Sequence, residues 1–197
     1  MDHTAAMRSA AGALHASLGL CVANCDFLAA WRAAHERYYS LYLEGRMTYE
    51  EARRARIRQT IRLEITDSEA DKLFGEYLAR YEAAWSLFPD VLPCLDRLSS
   101  CRMGIISNGR SYEQRKKLVS LGLADRFEQV LVSEECRYAK PNAEIFQMAC
   151  TAVHVSPSSA AYVGDRYDLD ACGARDAAFT AFGLIGVVPP QLSIGHR

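Results

Sequence analysis

Three short polar segments of this sequence carry residue types that suit a phosphoryl group. Residues 107–109 (Ser-Asn-Gly) end a first apolar run, and Lys140 lies in the loop that follows a second run. A third run ends at Asp165, with Asp168 and Asp170 close behind. Parallel strands in open α/β sheets present ligands at their carboxyl ends, so these segments are predicted to converge on one crevice. A hydroxyl, an ammonium and carboxylates for Mg²⁺ are the groups that phosphoryl chemistry uses.

Each segment alone also has a simpler explanation. Residues 107–109 are typical of a turn after a strand, and Lys140 before Pro141 is typical of a solvated loop lysine. Asp165 and Asp168 are acids of the kind that the macrodipole favours at a helix N-terminus. It is their order along the chain, at successive strand ends, that favours one shared site.

The elements that would position these residues begin near residue 88. Apolar runs predict strands at residues 103–107, 127–132, 160–164 and 179–185, with helices that begin at Ser111, at Asn142 and near Asp168. Such βαβα alternation predicts an α/β fold with a Rossmann-like parallel sheet covered by helices on both faces. We therefore predict two domains, a helical domain over residues 1–87 and an α/β domain over residues 88–197.

The first 87 residues show helical patterns throughout. Capping boxes at residues 48–51 and 66–69 predict two helix starts. Residues 9–25 carry no Asp, Glu, Lys or Arg, which is compatible with a secretory signal. However, Met7, Ala11 and Leu14 share one helical face, and this favours a helix of a small bundle.

The composition excludes several classes of protein and partner. The 197 residues include 23 lysines and arginines against 24 aspartates and glutamates, and half are hydrophobic. This is globular usage, and it excludes disordered, collagen-like and disulfide-stapled chains. The even charge gives no electrostatic reason to expect nucleic acid or an acidic membrane as a partner. No stretch reaches the roughly 20 apolar residues of a membrane span.

The cysteines form neither a zinc motif nor an evident disulfide framework. There are seven, which is an odd number, and no CxxC pair occurs among them. We expect buried free thiols in the reducing cytoplasm. They are Cys21, Cys25, Cys94, Cys101, Cys136, Cys150 and Cys172.

Three segments resemble motifs of the haloacid dehalogenase-like (HAD) hydrolase superfamily. Residues 104–109 (GIISNG), 133–141 (SEECRYAKP) and 163–170 (VGDRYDLD) are similar to its second, third and fourth motifs, in order and at matching spacing. The similarity continues through residues 173–177 and covers residues 88–188. The helical first half resembles the cap that the family inserts between its first and second motifs.

The resemblance assigns roles to single residues. It implies that Ser107 binds the transferring phosphoryl group, and that Asn108 and Gly109 shape that loop. Lys140 would neutralise phosphoryl charge and hold the nucleophile. Asp165 would bind Mg²⁺, and Asp170 would complete or orient the metal shell. Asp168 matches no required position and is interpreted as a helix cap.

The family's first motif, DxDxT on a central strand, has no counterpart in the N-terminal half of this sequence. That motif supplies the nucleophilic Asp, and residues 1–6 (MDHTAA) resemble the stretch that follows it. We expect either a start codon assigned too late or a truncated chain. Without that strand, the strands ending at Ser107 and Asp165 should lie roughly 9–10 Å apart, twice the usual spacing, or collapse together.

An arginine-rich helix in the first half leaves three interpretations open. The arginines at positions 53, 54, 56, 58 and 62 point around much of its circumference. A solvated surface, a cap arginine facing an anionic substrate, and nucleic acid binding are the alternatives.

The predicted activity is that of a Mg²⁺-dependent phosphatase acting on a small phosphorylated molecule through an aspartyl-phosphate. The Gly-Asp pair at residues 164–165 favours this over a metal-free haloacid dehalogenase, because the resemblance implies a Ser-Asn type of sequence there for dehalogenases. The other alternative is a non-catalytic remnant that binds phosphate, metal or a partner. The chain as written is predicted to be inactive alone.

Overall fold

The computed structural model describes residues 1–183, which divide into two compact units. The first comprises Met1–Arg102 with Tyr112–Phe127, and the second comprises Met103–Ser111 with the chain from Glu128 onward. The domain boundary near residue 88 rests on a change of sequence pattern and stays a prediction. Within residues 1–183, no helix combines the length and apolar character needed to cross a membrane.

The first unit is helical, as the sequence predicts. Its helices include α1 (His3–Leu18), α2 (Asn24–Leu43), α3 (Tyr49–Ile61), α4 (Asp67–Ala83) and α5 (Val91–Arg97). Both capping boxes are confirmed. The Thr48 hydroxyl accepts the Glu51 N–H at 3.1 Å, and the Glu51 carboxylate accepts the Thr48 N–H at 2.8 Å. Thr66 and Glu69 repeat this arrangement at the start of α4.

The core of the first unit combines small residues with large aromatic ones. Met7, Ala11 and Leu14 of α1 are buried, so the helical interpretation of this N-terminal stretch is confirmed. They belong to one hydrophobic cluster with Phe27 and Trp31 of α2, whose rings stack at a centroid distance of 6.0 Å. Small side chains on α1 let the aromatic rings of α2 pack closely.

Two arginines of α3 are committed to acids of α4. Arg54 donates to both oxygens of Asp71, at 2.9 and 2.6 Å, and pairs with Asp67 at 2.6 Å. Arg58 pairs with the same Asp67 at 2.6 Å. These guanidinium groups therefore hold α4 against α3. The sequence pattern left open a solvated surface, an anionic substrate or nucleic acid as the surroundings of these arginines. Ion pairs with α4 were not among these alternatives.

Arg56 is instead buried among aromatic rings. Its guanidinium carbon lies 4.1 Å from the Trp31 ring centroid, and Nη2 donates to the Tyr77 hydroxyl at 3.4 Å. Ring faces attract cations, which offsets part of the cost of burying this charge. Burial, together with Arg56 and His3, lowers the pKa of His35 to about 3, so that imidazole is neutral at physiological pH.

All seven cysteines are free, as predicted, but the expectation that they are buried is confirmed only for Cys150, since Cys136 and Cys172 are half-buried and the other four are exposed. Cys21 lies in the turn between α1 and α2, and Cys25 lies in the first turn of α2. Cys94 lies in α5, and Cys101 lies after it. All four are exposed, because α5 has no buried residue and the turn faces solvent. Cys150 in the second unit is buried.

The second unit contains the predicted alternation of strands and helices. Its strands are β1 (Gly104–Ser107), β2 (Gln129–Val132), β3 (Ala161–Gly164) and β4 (Thr180–Gly183). The helix after β1, α6 (Ser111–Ser120), belongs to the first unit except for Ser111. The helices after β2 are α7 (Ser133–Cys136) and α8 (Ala143–Ala152), both in the second unit. A π-helical turn, Tyr167–Ala171, leads from β3 into α9 (Cys172–Asp176). The last strand is predicted to span residues 179–185, and its final two positions lie outside the described residues.

The four strands form two parallel pairs instead of one continuous sheet. β1 pairs with β2 so that Ile106 lies opposite Leu131, and β3 pairs with β4 so that Val163 lies opposite Phe182. Among residues 1–183, no strand ladder joins β1 to β3, and the Tyr162 hydroxyl donates to the Ile106 carbonyl at 3.3 Å. The gap between the two pairs lies between β1 and β3, where the resemblance implies the first strand of the family.

Both strand pairs pack on the same two helices. Ile145 and Phe146 of α8 and Ala174 of α9 are fully buried. Ile106 of β1 and Tyr162 of β3 pack against this cluster. The polar residues at the ends of β1 and β3 are therefore positioned over one shared hydrophobic core.

We expect β1 and β3 to open at a lower free energy than α1 and α2. A two-stranded pair is marginally stable by itself, whereas the helices pack over a large aromatic core. Hydrogen exchange on the intact chain should therefore exchange the β1 and β3 amides first. Thermal unfolding should have its midpoint below about 65 °C, the upper end for mesophile domains. Equal protection of all four elements, or a single cooperative transition above that temperature, would contradict this expectation.

Candidate active site

A buried ion pair lies at the centre of the polar residues of the second unit. Lys140 Nζ lies 2.7 Å from Asp170 Oδ1, and their side chains are only 13% and 5% exposed. Lys140 Nζ also donates to the Tyr162 hydroxyl at 2.9 Å. The second oxygen of Asp170 accepts the backbone N–H of Arg166 at 3.0 Å. Because an unpaired buried charge is costly, each partner of the pair depends on the other.

Asn108 holds the backbone of the loop that carries Lys140. Its side-chain oxygen accepts the Lys140 N–H at 2.7 Å, and its side-chain nitrogen donates to the Lys140 carbonyl at 3.0 Å. These two hydrogen bonds tie the end of β1 to a loop more than thirty residues away in sequence. The side-chain oxygen and nitrogen of Asn108 are both engaged by that backbone, and the role of Asn108 toward a phosphoryl group stays a prediction.

Gly109 and its neighbours are tied to the segment after β2. The Gly109 N–H donates to the Ser133 hydroxyl at 2.9 Å, and the Ser111 N–H donates to Glu134 at 2.8 Å. Gly109 has a φ of 115°, which glycine adopts far more readily than other residues. Ser107, at the end of β1, donates from its hydroxyl to the Asn108 carbonyl at 3.3 Å. Its predicted role toward a phosphoryl group stays a prediction.

Gly164 makes room for the buried carboxylate. A Cβ at this position would lie 2.4 Å from Asp170 Cγ, far inside van der Waals contact. The glycine at the end of β3 is therefore required by packing against Asp170. The motif glycine was singled out from sequence, but this reason for it was not.

The remaining two acids have different surroundings. Asp165 is exposed, and its carboxylate has no hydrogen bond or ion pair to another residue among those described. Asp168 pairs with Arg166 at 3.1 Å, and this hydrogen bond lowers the pKa of the Asp168 carboxyl. The interpretation of Asp168 as a helix cap is wrong, because Arg166 occupies the N-cap position of the π-helical turn.

The two predicted metal ligands do not by themselves form a magnesium site. Asp170 directs its oxygens to Lys140, Tyr162 and the Arg166 N–H, which leaves Asp165 as the exposed carboxylate. Across residues 1–183, there is no group of three His, Cys, Asp or Glu residues able to hold a metal. Mg²⁺ demands a nearly ideal octahedron of oxygens, which this pair cannot supply. The metal roles of Asp165 and Asp170 stay predictions.

Sequence reasoning missed two residues of this network, Tyr162 and Ser133. Burial raises the pKa of the Tyr162 hydroxyl, and the adjacent Asp170 carboxylate raises it further, so the group stays protonated. The only sequence signal for Tyr162 is its position on the core-facing side of β3. Ser133 was quoted within a motif, and nothing in its spacing indicated a bond to Gly109.

The chain has relatives among known hydrolases. Residues 4–178 match the family model of haloacid dehalogenase-like hydrolases. A glyceraldehyde 3-phosphate phosphatase of Methanopyrus kandleri is 40% identical over 92 residues, which cover 46% of this chain and 40% of that protein. A phosphoserine phosphatase of Thermus thermophilus is 36% identical over 115 residues, covering 57% of this chain and 46% of that one. The chain thus spans less than half the length of these two relatives.

Solved structures share the fold at low identity. The protein YfnB of Bacillus subtilis, described as a HAD-hydrolase and bound to magnesium, superposes with a TM-score of 0.80 at 23% identity over 92% of this chain and 82% of that one. The L-2-haloacid dehalogenase of Xanthobacter autotrophicus gives 0.68 at 21% identity, over 89% and 70% of the two chains. At these identities the similarity establishes the fold only.

We expect Gly164→Ala to destabilise the second unit by roughly 1–3 kcal/mol, because the added methyl group overlaps the Asp170 carboxyl. Gly183→Ala is the matched control, since Gly183 pairs with Gly164 in the register and its Cβ would meet nothing within 4 Å. It should leave stability unchanged or raise it by up to roughly 1 kcal/mol. Chemical denaturation of both variants measures the difference, and equal effects would contradict this packing argument.

We expect only weak Mg²⁺ binding by this chain, because Asp165 offers one carboxylate and Asp170 is occupied. Isothermal titration calorimetry should give no saturable heat. Stoichiometric binding that Asp165→Asn abolishes, and that Asp168→Asn leaves intact, would place a magnesium site here after all.

Proposed function

Since the chain belongs to the haloacid dehalogenase-like hydrolase family, we propose that it is a phosphatase-type member, whose intact site hydrolyses phosphate monoesters of small molecules. The observation that carries this proposal is the largely buried Lys140 ammonium at the strand ends. Asp170 and Tyr162 fix it, and Asn108 fixes the backbone beneath it. A positioned point charge of this kind suits the oxygens of a phosphoryl group.

The relatives support the same class of substrate. Two glyceraldehyde 3-phosphate phosphatases and a phosphoserine phosphatase are 35–40% identical to this chain over the aligned residues. Both named substrates are small phosphate monoesters. Because the matched region covers less than half of these relatives, the substrate itself belongs to the proposal only at the level of this class.

The residues of this chain would bind and stabilise charge, while the nucleophile would come from elsewhere. Ser107 would donate to a phosphoryl oxygen, and Lys140 would neutralise its charge. An aspartate carboxylate would attack phosphorus, the P–O ester bond would break and the alcohol would leave, and water would then hydrolyse the aspartyl-phosphate to the carboxylate and inorganic phosphate. Residues 1–87 contain no Asp-x-Asp to supply that carboxylate. Mg²⁺ would supply further charge neutralisation when bound, with ligands beyond Asp165 and Asp170.

A second candidate is a non-catalytic protein that binds phosphate without turnover. The hydrogen bonds of the described site residues favour it, because Asn108, Tyr162 and Asp170 position Lys140, and a positioned ammonium can hold an anion without turnover. A metal-free dehalogenase is less favoured, since the Gly-Asp pair at residues 164–165 differs from the Ser-Asn type of sequence.

The proposal also includes a role for residues 1–87 and a cellular location. Residues 1–87 would serve as the helical cap that selects the substrate. The cytoplasm is the proposed location, because four exposed free thiols persist best in a reducing compartment.

Hydrolysis of p-nitrophenyl phosphate tests the proposal. The chain of 197 residues should show no rate above a blank containing metal alone, since loss of a nucleophile costs about 10⁴- to 10⁶-fold. An extended chain that adds a strand ending in Asp-x-Asp-x-Thr before Met1 should gain Mg²⁺-dependent activity.

Variants of the extended chain identify the groups responsible. Asp165→Asn should abolish the activity or its dependence on Mg²⁺, whereas Asp168→Asn, which removes an exposed acid that pairs with Arg166, is the matched control. Turnover by the unextended chain that survives Lys140→Ala would refute these assignments. An inactive extended chain that still binds inorganic phosphate would favour the second candidate.

A further inference from the structure

The hydroxyl of Tyr162 joins three segments of the second unit. It lies 2.9 Å from Lys140 Nζ, 3.3 Å from the Ile106 carbonyl of β1 and 3.3 Å from Asp170 Oδ1. These partners come from β1, from the loop after α7 and from the turn after β3. No other side chain described in residues 1–183 hydrogen-bonds to both members of the buried ion pair.

The chemistry of its partners determines which hydrogen bonds the Tyr162 hydroxyl donates and which it accepts. An ammonium group only donates, so the Tyr162 oxygen accepts from Lys140, and the hydroxyl proton is shared between Asp170 and the Ile106 carbonyl. The hydroxyl therefore orients Lys140 with respect to β1, which the ion pair with Asp170 alone does not do.

One N–H donor of the Lys140 ammonium is not used by Asp170 or Tyr162. The ammonium carries three N–H donors, and Asp170 and Tyr162 take two of them. One donor has no partner among the described residues. Its direction is set by the other two, because two fixed hydrogen bonds leave the ammonium no free rotation.

The ring of Tyr162 is itself held in place. It packs edge-on against Phe146, with ring centroids 5.0 Å apart, and Phe146 is fully buried. Lys140 Nζ lies 5.6 Å from the Tyr162 ring centroid. The hydroxyl is thus presented from a rigid support, which is what precise positioning of a charge requires.

We propose that Tyr162 is a positioning residue of the phosphatase site: its hydroxyl aligns Lys140 so that the third ammonium proton is presented to the anion. This inference rests on the proposed function for the identity of the anion. It assigns a role to a strand residue that lies outside the residues predicted to contact the substrate.

Acylation of lysines in the folded chain, followed by mass spectrometry, tests the alignment without requiring turnover. Tyr162→Phe keeps the ring and removes only the hydroxyl, and it should raise the acylation rate of Lys140 roughly tenfold, as expected for loss of a hydrogen bond to a charged group. Lys117 is the internal control, since it is half-buried like Lys140 and lies in the first unit. Its rate should not change.

Phe146→Leu separates packing from hydrogen bonding. It weakens the support of the ring but keeps the hydroxyl, so it should lower the denaturation midpoint while Lys140 acylation rises far less than in Tyr162→Phe. If Tyr162→Phe leaves the Lys140 rate unchanged, or raises it only together with that of Lys117, the proposal is overturned. An equal rise in both variants would assign the effect to packing and would also overturn it.

Inorganic phosphate distinguishes this inference from the proposed function. Phosphate should protect Lys140 of the wild-type chain from acylation, and it should protect Tyr162→Phe much less. Failure to protect the wild type would overturn the proposed function at this site, whereas equal protection of both proteins would overturn the role of Tyr162.

Discussion

The buried pair of Lys140 and Asp170 is the interaction on which the second unit depends. Removing two charges from water costs several kcal/mol for each ion, and the cost is recovered only where hydrogen bonds satisfy the remaining donors and acceptors. Asp170 meets this requirement with the Tyr162 hydroxyl and the Arg166 N–H. Gly164 provides the space for its carboxylate. The local sequence around β3 is therefore constrained by one buried charge.

The same constraint explains why the loops at the strand ends are tied to one another. A lysine in a loop between distant elements has many conformations, so holding its ammonium in place requires a fixed backbone. Asn108 supplies this by bonding both polar groups of the Lys140 backbone, and Ser133 holds the next residue, Gly109. The residues that hold the loops lie close to the charge, but their hydrogen bonds go to backbone groups and not to the ammonium.

The first unit also contains a buried charge, Arg56, but it is stabilised by different contacts. Arg56 has no carboxylate within ion-pair distance among the described residues, and aromatic faces surround it instead. Arg54 and Arg58, nearer the surface, use aspartates of α4. Positions on one short helix thus have unrelated surroundings, which a sequence pattern of repeated arginines cannot distinguish.

Local patterns in the sequence were sufficient for the helix starts, the βαβα order and the residues at the strand ends. Capping boxes and apolar periodicity act over three or four residues, so they are readable without a structure. Only the tertiary structure decided that Tyr162 bridges Lys140 and Asp170, that Asp168 pairs with Arg166, and that the strands form two separate pairs. Tyr162 lies 22 residues from Lys140, and each strand pair joins segments with helices between them. Asp170 and Asp168 both lie in a π-helical turn that places their carboxylates. These contacts therefore depend on folded geometry that no local pattern encodes.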